Sequence, residues 1–103
     1  MARFDVYQNL DASERTRIPY WLEVQNTFID VATRVVVPLY DASRFKGRIQ
    51  ELNPELLVQG RNVVMNTAAL GAVPATYLRT PLSNLASQQN LIHEALDTLF
   101  AGY

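Results

Sequence analysis

The chain has 103 residues, 49% hydrophobic and 18% charged, which suits one globular domain over 1–103 and excludes a disordered chain. Nine basic residues against ten acidic give a net charge of -1, so a surface built to neutralise a run of nucleic-acid phosphates is excluded. The absence of cysteine excludes disulfide frameworks and thiolate metal sites. No apolar stretch of the signal-peptide kind opens the sequence, and no run approaches the ~20 apolar residues that span a bilayer, so a cytoplasmic location is expected, with no membrane partner.

In chain order, Phe4 and Val6 alternate with Arg3 and Asp5, the period of a half-buried strand, and Tyr7 continues it. Asn9, Asp11 and Ser13 mark a loop that runs to Pro19. From Tyr20 to Gln25, Tyr20, Leu22 and Val24 share one face and Trp21, Glu23 and Gln25 the other, which predicts a second strand. Thr33 to Leu39 predicts a central strand covered on both faces, with Pro38 ending its pairing or sitting at a bulge. Tyr40 to Pro54 reads as a loop or an irregular turn. Glu55 to Val58 and Asn62 to Met65 form the arms of a hairpin, with Gly60 supplying positive φ at the turn. Ala72 to Leu78 predicts a further strand, pushed to an edge or a bulge by Pro74.

The last stretch is a helix over about 87–101. Ile92, Leu96, Leu99 and Tyr103 repeat at helical spacing, widened by Leu91, Ala95 and Phe100. Gln89, Asn90, His93, Glu94, Asp97 and Thr98 fill the polar side. Ser87 stands where an N-cap belongs and Gly102 where a C′ residue belongs. An aromatic residue directly after Gly102 makes this tail a candidate contact surface. Several short strands broken by Pro, Gly and Asn, followed by a helix, predict a mainly β fold, a small antiparallel barrel with the helix packed on it.

Little in the sequence points to catalysis. His93 is the one histidine, and no cluster at ligand spacing accompanies it, so no metal and no cofactor are expected. His93 and Asp97, one turn apart, could imitate the orienting half of a nucleophile triad but suit an exposed helix pair better. Glycine-rich phosphate loops and nucleophile elbows are absent. Arg15, Arg17, Arg34, Arg44, Lys46, Arg48, Arg61 and Arg79 could line a ribonuclease-like face if a barrel gathered them, but their dilution suits a solvated surface better. Tyr20, Trp21, Phe28 and Phe45 suit a core.

Several phrases, taken in order, resemble the CcdB toxin family along nearly the whole chain. They are Phe4-Asp5-Val6-Tyr7, Val24-Gln25 with Ile29-Asp30, Val37-Pro38-Leu39, Leu52-Asn53-Pro54, Met65-Asn66-Thr67 running to Val73-Pro74, and Leu99-Phe100-Ala101-Gly102. The resemblance implies an SH3-like barrel of short antiparallel strands with a C-terminal α-helix, the CcdB and MazF/Kid toxin type. It further implies a homodimer with the terminal helices side by side near its axis.

The implied activity is non-enzymatic: a toxin-antitoxin toxin binds the DNA gyrase A subunit and traps the cleaved gyrase-DNA complex. A CcdA-like antitoxin neutralises it, operator DNA is met only through that antitoxin in transcriptional autoregulation, and plasmid maintenance is an associated role. Carried onto this sequence, the partner-binding positions are Phe28, Ile29, Asp97, Ala101, Gly102 and Tyr103. The family closes on Trp-Gly-Ile, where this chain has Ala101-Gly102-Tyr103. Two other readings are a non-toxic homologue that binds only its antitoxin and a MazF/Kid-like endoribonuclease.

Overall fold

The computed structural model describes residues 2–29 and 31–101. Its strands are β1 (Asp5–Gln8), β2 (Tyr20–Glu23), β3 (Thr33–Asp41), β4 (Glu55–Val58), β5 (Arg61–Met65), β6 (Gly71–Pro74) and β7 (Ser83–Asn84), followed by the helix α1 (Gln89–Phe100). They form an antiparallel sheet in the order β4-β5-β3-β2-β1-β7, with β6 paired to β3 beside β5. The fold is mostly β, a nearly closed SH3-like barrel with a C-terminal helix.

Alternation decides which face each residue takes. Val6 pairs with Leu22 and Leu22 with Val37, placing three fully buried side chains in one row across β1, β2 and β3. Phe4, Val24, Leu39, Leu56, Val58, Val63, Met65 and Leu85 extend this interior, and Ile92 and Ala95 of α1 close it, with Leu96 packed against it. The opposite face carries a smaller cluster of Tyr7, Val36 and Leu78, flanked by Trp21 and Val73.

Pro38 does not end β3, which pairs on as far as Asp41. Its carbonyl accepts from Asn66 N, so the position lacking an N–H faces the edge where β3 passes from β6, paired through Val36, to β5, paired from Leu39. The β4–β5 hairpin turns on Gln59 and Gly60, both at positive φ (49° and 82°), the requirement of a two-residue type I′ turn. Open space surrounds a Cβ placed on Gly60, so the constraint there is conformation and not room.

Side chains, and not a ladder, bring the two ends of the sheet together. The Gln88 amide donates to Leu57 O (2.9 Å) and accepts from Leu57 N (3.0 Å), occupying the outer edge of β4 as a neighbouring strand would. Gln59 Nε2 donates to Leu82 O (2.9 Å), just before β7.

Further sequence expectations need correction. Ser87 is not the N-cap of α1: Ala86–Gln88 form a 3₁₀ turn, Asn84 Oδ1 accepts from Ala86 N (2.9 Å), and α1 begins at Gln89 without a side-chain cap. The strand predicted over 72–78 stops at Pro74, and Ala75–Tyr77 turn as a 3₁₀ helix that lays Leu78 over Tyr7 and Val36. Strand β7 is a pairing the sequence did not predict, too short to show alternation. His93 is not an exposed partner of Asp97, because its ring lies 5.5 Å from that of Phe4, and its Nε2 is buried without a hydrogen bond. The C′ role of Gly102 falls outside the described residues.

Two outcomes follow from this packing. Ile92→Ala, at a fully buried position, lowers unfolding stability by about 3 kcal/mol, whereas Leu91→Ala on the exposed side of the helix changes it by about 0.5 kcal/mol or less, both read by urea titration. Asp41, at the end of β3, accepts from Ser43 and Arg61, which hold its carboxyl down at about 2 from an ordinary 3.8. Its contribution to stability is complete above pH 3.8 and is lost as the pH falls toward 2, so Asp41→Asn flattens that part of the acid-unfolding profile.

Candidate functional site

Between β2 and β3 the chain makes a tight turn whose apolar side chains face outward. Asn26 builds it: its Oδ1 accepts from Phe28 N (2.9 Å) and its carbonyl from Ile29 N (3.1 Å). Phe28 is 93% exposed, and Ile29 and Val31 are about half exposed. Phe28 therefore belongs to no core, contrary to its reading as a packing aromatic. Burying such a ring on a partner removes apolar area from water at roughly 25 cal/mol per Å².

The turn is held from below by polar groups. Arg34 Nη1 donates to Ile29 O (2.7 Å), and Gln25 Nε2 reaches the same oxygen (3.3 Å). Arg34 is itself paired with Glu23, and both are almost fully buried. Tyr7 donates to Glu23 Oε1 (3.3 Å) and lies 3.5 Å from Asp5 Oδ2. Asn84 Nδ2 completes the series on Asp5 Oδ1 (2.9 Å). Burial, then the charges of Glu23 and Asp5, push the Tyr7 phenol well above its ordinary 10, so it stays a hydrogen-bond donor.

A second route of contacts leads from this turn to the helix. Arg3 N donates to Thr27 Oγ1 (3.0 Å), the Arg3 guanidinium lies 4.9 Å from the centre of the Phe4 ring, and Phe4 packs on His93. Phe4 takes this position with φ at 73°, a left-handed conformation that costs a bulky residue about 1–3 kcal/mol. One turn beyond His93 come Asp97, then Phe100 and Ala101, all exposed. Ala101 N donates to Asp97 O (2.7 Å), which continues the helical bonding to the last described residue. No hydrogen bond or ion pair joins Phe28 or Ile29 to Asp97 or Ala101 among the described residues. Gly102 and Tyr103 lie outside the described residues.

Several of the basic residues are taken up by contacts among the described residues. Arg17 pairs with Glu14 (2.5 Å), Arg34 with Glu23, Arg48 with Glu55 (2.9 Å) and Arg61 with Asp41 (2.7 Å). Arg15 Nε is turned onto Asn9 O (2.9 Å). Among the described residues no group of His, Asp and Glu is placed to hold a metal ion, and no helix is long and apolar enough to cross a membrane.

Two features escaped sequence reasoning. The Glu23–Arg34 pair was signalled only by opposite charges on two strands, and the register that brings them together is invisible in a linear pattern. A cleft of about 280 Å³ lies on the outer face, lined by Leu10, Trp21, Val73, Tyr77 and Leu78 with Gln8, Asn9 and Asp11, and depends on the unpredicted 3₁₀ turn.

The family model described as CcdB protein matches residues 3–102. No curated protein matches the chain. The chain belongs to the CcdB family, which makes it a toxin of the toxin-antitoxin kind.

Proposed function

We propose that this member of the CcdB family poisons DNA gyrase by binding the gyrase A subunit and trapping the cleaved gyrase-DNA complex. The observation that carries the reading is Phe28, an aromatic ring almost wholly in solvent on a turn whose backbone is fixed by a buried ion pair. An exposed ring on an ordered backbone suits an anchor that fills a partner's pocket. The contact surface is Phe28 and Ile29 together with the helix end, Asp97, Ala101, Gly102 and Tyr103. Asp97 sets a negative charge near the carbonyl end of α1, a mildly unfavourable place that a basic partner surface offsets. No bond is made or broken by the toxin itself. Its effect is that of a ligand that binds one state of the target and raises its population.

The working form is a homodimer, a cognate CcdA-like antitoxin removes it from gyrase, and operator DNA is met only through that antitoxin. One observation favours the non-toxic alternative: Ala101, exposed at the helix end, lacks the aromatic area of the family's Trp. Tyr103 supplies an aromatic residue two positions later, and Phe28 a larger one than the family's usual aliphatic.

Expression in cells with and without the antitoxin, followed by recovery of gyrase-DNA cleavage complexes, tests the reading directly. Trapped complexes that disappear with the antitoxin support it; cut messenger RNA with intact gyrase chemistry replaces it with the ribonuclease reading. Normal growth without binding to the purified A subunit favours the antitoxin-only protein. Phe28→Ala weakens binding to the A subunit by about 2 kcal/mol, measured by calorimetry, with no change in melting temperature because the ring packs on nothing. Deleting Gly102 and Tyr103 abolishes that binding and leaves melting and dimer mass unchanged; unfolding of the truncated chain would mean that the tail is structural.

A further inference from the structure

We infer that Arg34, held by the buried carboxylate of Glu23, is a positioning residue for the partner-binding turn, fixing the Ile29 carbonyl and so the direction in which Phe28 and Ile29 are presented. The inference rests on the proposed contact between this turn and gyrase. A buried ion pair is a poor device for stability alone, since desolvating both ions offsets most of their attraction and apolar packing of similar volume often does as well. Apolar side chains already share this face, in Tyr7, Val36 and Leu78. What the pair supplies that they cannot is a directed donor.

The guanidinium divides its work. Its Nε and Nη2 both meet Glu23 Oε2, while Nη1 turns the other way and donates to Ile29 O (2.7 Å). Tyr7 holds the carboxylate from its second oxygen. Gln25 adds a parallel restraint, accepting from Val35 N (2.9 Å) while donating to Ile29 O (3.3 Å). Two side chains, Arg34 of β3 and Gln25 just after β2, thus converge on one loop carbonyl. Phe28 itself has no packing to orient it, so the order of this turn comes from its backbone. A turn ordered before encounter loses less conformational entropy on binding. Lysine keeps the charge opposite Glu23 but lacks the fork needed to serve carboxylate and carbonyl together.

The experiment compares the full-length chain with Arg34→Lys, with Phe28→Ala/Ile29→Ala, and with all three changes combined. Amide hydrogen exchange reads the turn without any partner. In Arg34→Lys, exchange at Phe28 and Ile29 quickens about fivefold or more while Leu22 and Val37 in the strands keep their rates. Unchanged exchange in the turn overturns the inference whatever gyrase does.

Binding to the purified gyrase A subunit is the second readout. Arg34→Lys weakens it about tenfold in the natural background and less than about twofold once Phe28 and Ile29 are alanine, since the residue acts through them. An equal loss in both backgrounds means that Arg34 acts through the fold at large and overturns the inference. If Phe28→Ala/Ile29→Ala leaves binding intact, the contact reading fails, and the role of Arg34 in gyrase binding falls with it. Should Arg34→Lys not fold, Glu23→Leu/Arg34→Met enters the same comparison. It removes both buried ions together, so neither is left unpaired, and takes the Arg34 donor away from Ile29 O, with the same expected and opposing results.

Discussion

Val6, Leu22 and Val37 stand side by side across β1, β2 and β3, and this register is the constraint on which the rest of the molecule depends. Side chains along a strand alternate, so a slip by one residue would turn Glu23 and Arg34 toward the barrel interior and valines toward the outer face. The inner row is wholly apolar, whereas the outer one holds Asp5, Tyr7, Glu23 and Arg34 as linked polar groups. Each half restrains the other. The hydrophobic row makes slippage costly, and the polar row brings its opposite charges together in one alignment only, because a buried charge without its partner costs several kcal/mol.

Barrel closure is settled differently. A sheet of short strands leaves backbone donors and acceptors open at its ends, a liability in water and an invitation to pairing with other chains. Gln88 meets it at β4 with an amide that imitates a strand's own donor and acceptor. This also accounts for the late start of α1: residues 86–88 form a tight turn that carries the Gln88 amide to Leu57 before the helix can begin. The helix is thereby fixed to the barrel at its first turn and by Ile92 and Ala95 in the interior, while its far end reaches into solvent.

Much of this was legible in the sequence, and what was not has physical causes. Alternation located β1 and β2 because successive side chains take opposite faces, each face here meeting its own cluster, and Gly60 marked the hairpin turn because positive φ is cheap there. The helical stripe located Ile92 and Ala95 as buried. It failed for Leu91 and Phe100, which lie at the border of the apolar arc and stay exposed. His93 failed in the other sense, since a neighbour distant in sequence, Phe4, comes over the polar side of the helix. Ser87 was a good cap by type, yet it falls inside the 3₁₀ turn that follows β7, and a two-residue strand leaves no periodic trace from which to place that turn. Of the candidate contact residues, Phe28 illustrates the limit most clearly. Composition favours burial for an aromatic, and only the short turn set by Asn26 leaves it in water.

Fold and proposed contact surface draw on almost separate sets of residues. Phe28, Asp97 and Ala101 are exposed and none belongs to either apolar cluster, so substitution there is nearly free of cost to the barrel. That separation lets the barrel tolerate change at the turn and at the helix end. The supports beneath the turn are less free. A ring in solvent can be replaced one residue at a time, but the carbonyl beneath it is gripped by Arg34, whose own carboxylate partner is fixed by the register of three strands. Side chains at the tip are free to change without cost to the barrel, while the course of the backbone that carries them is inherited from the core.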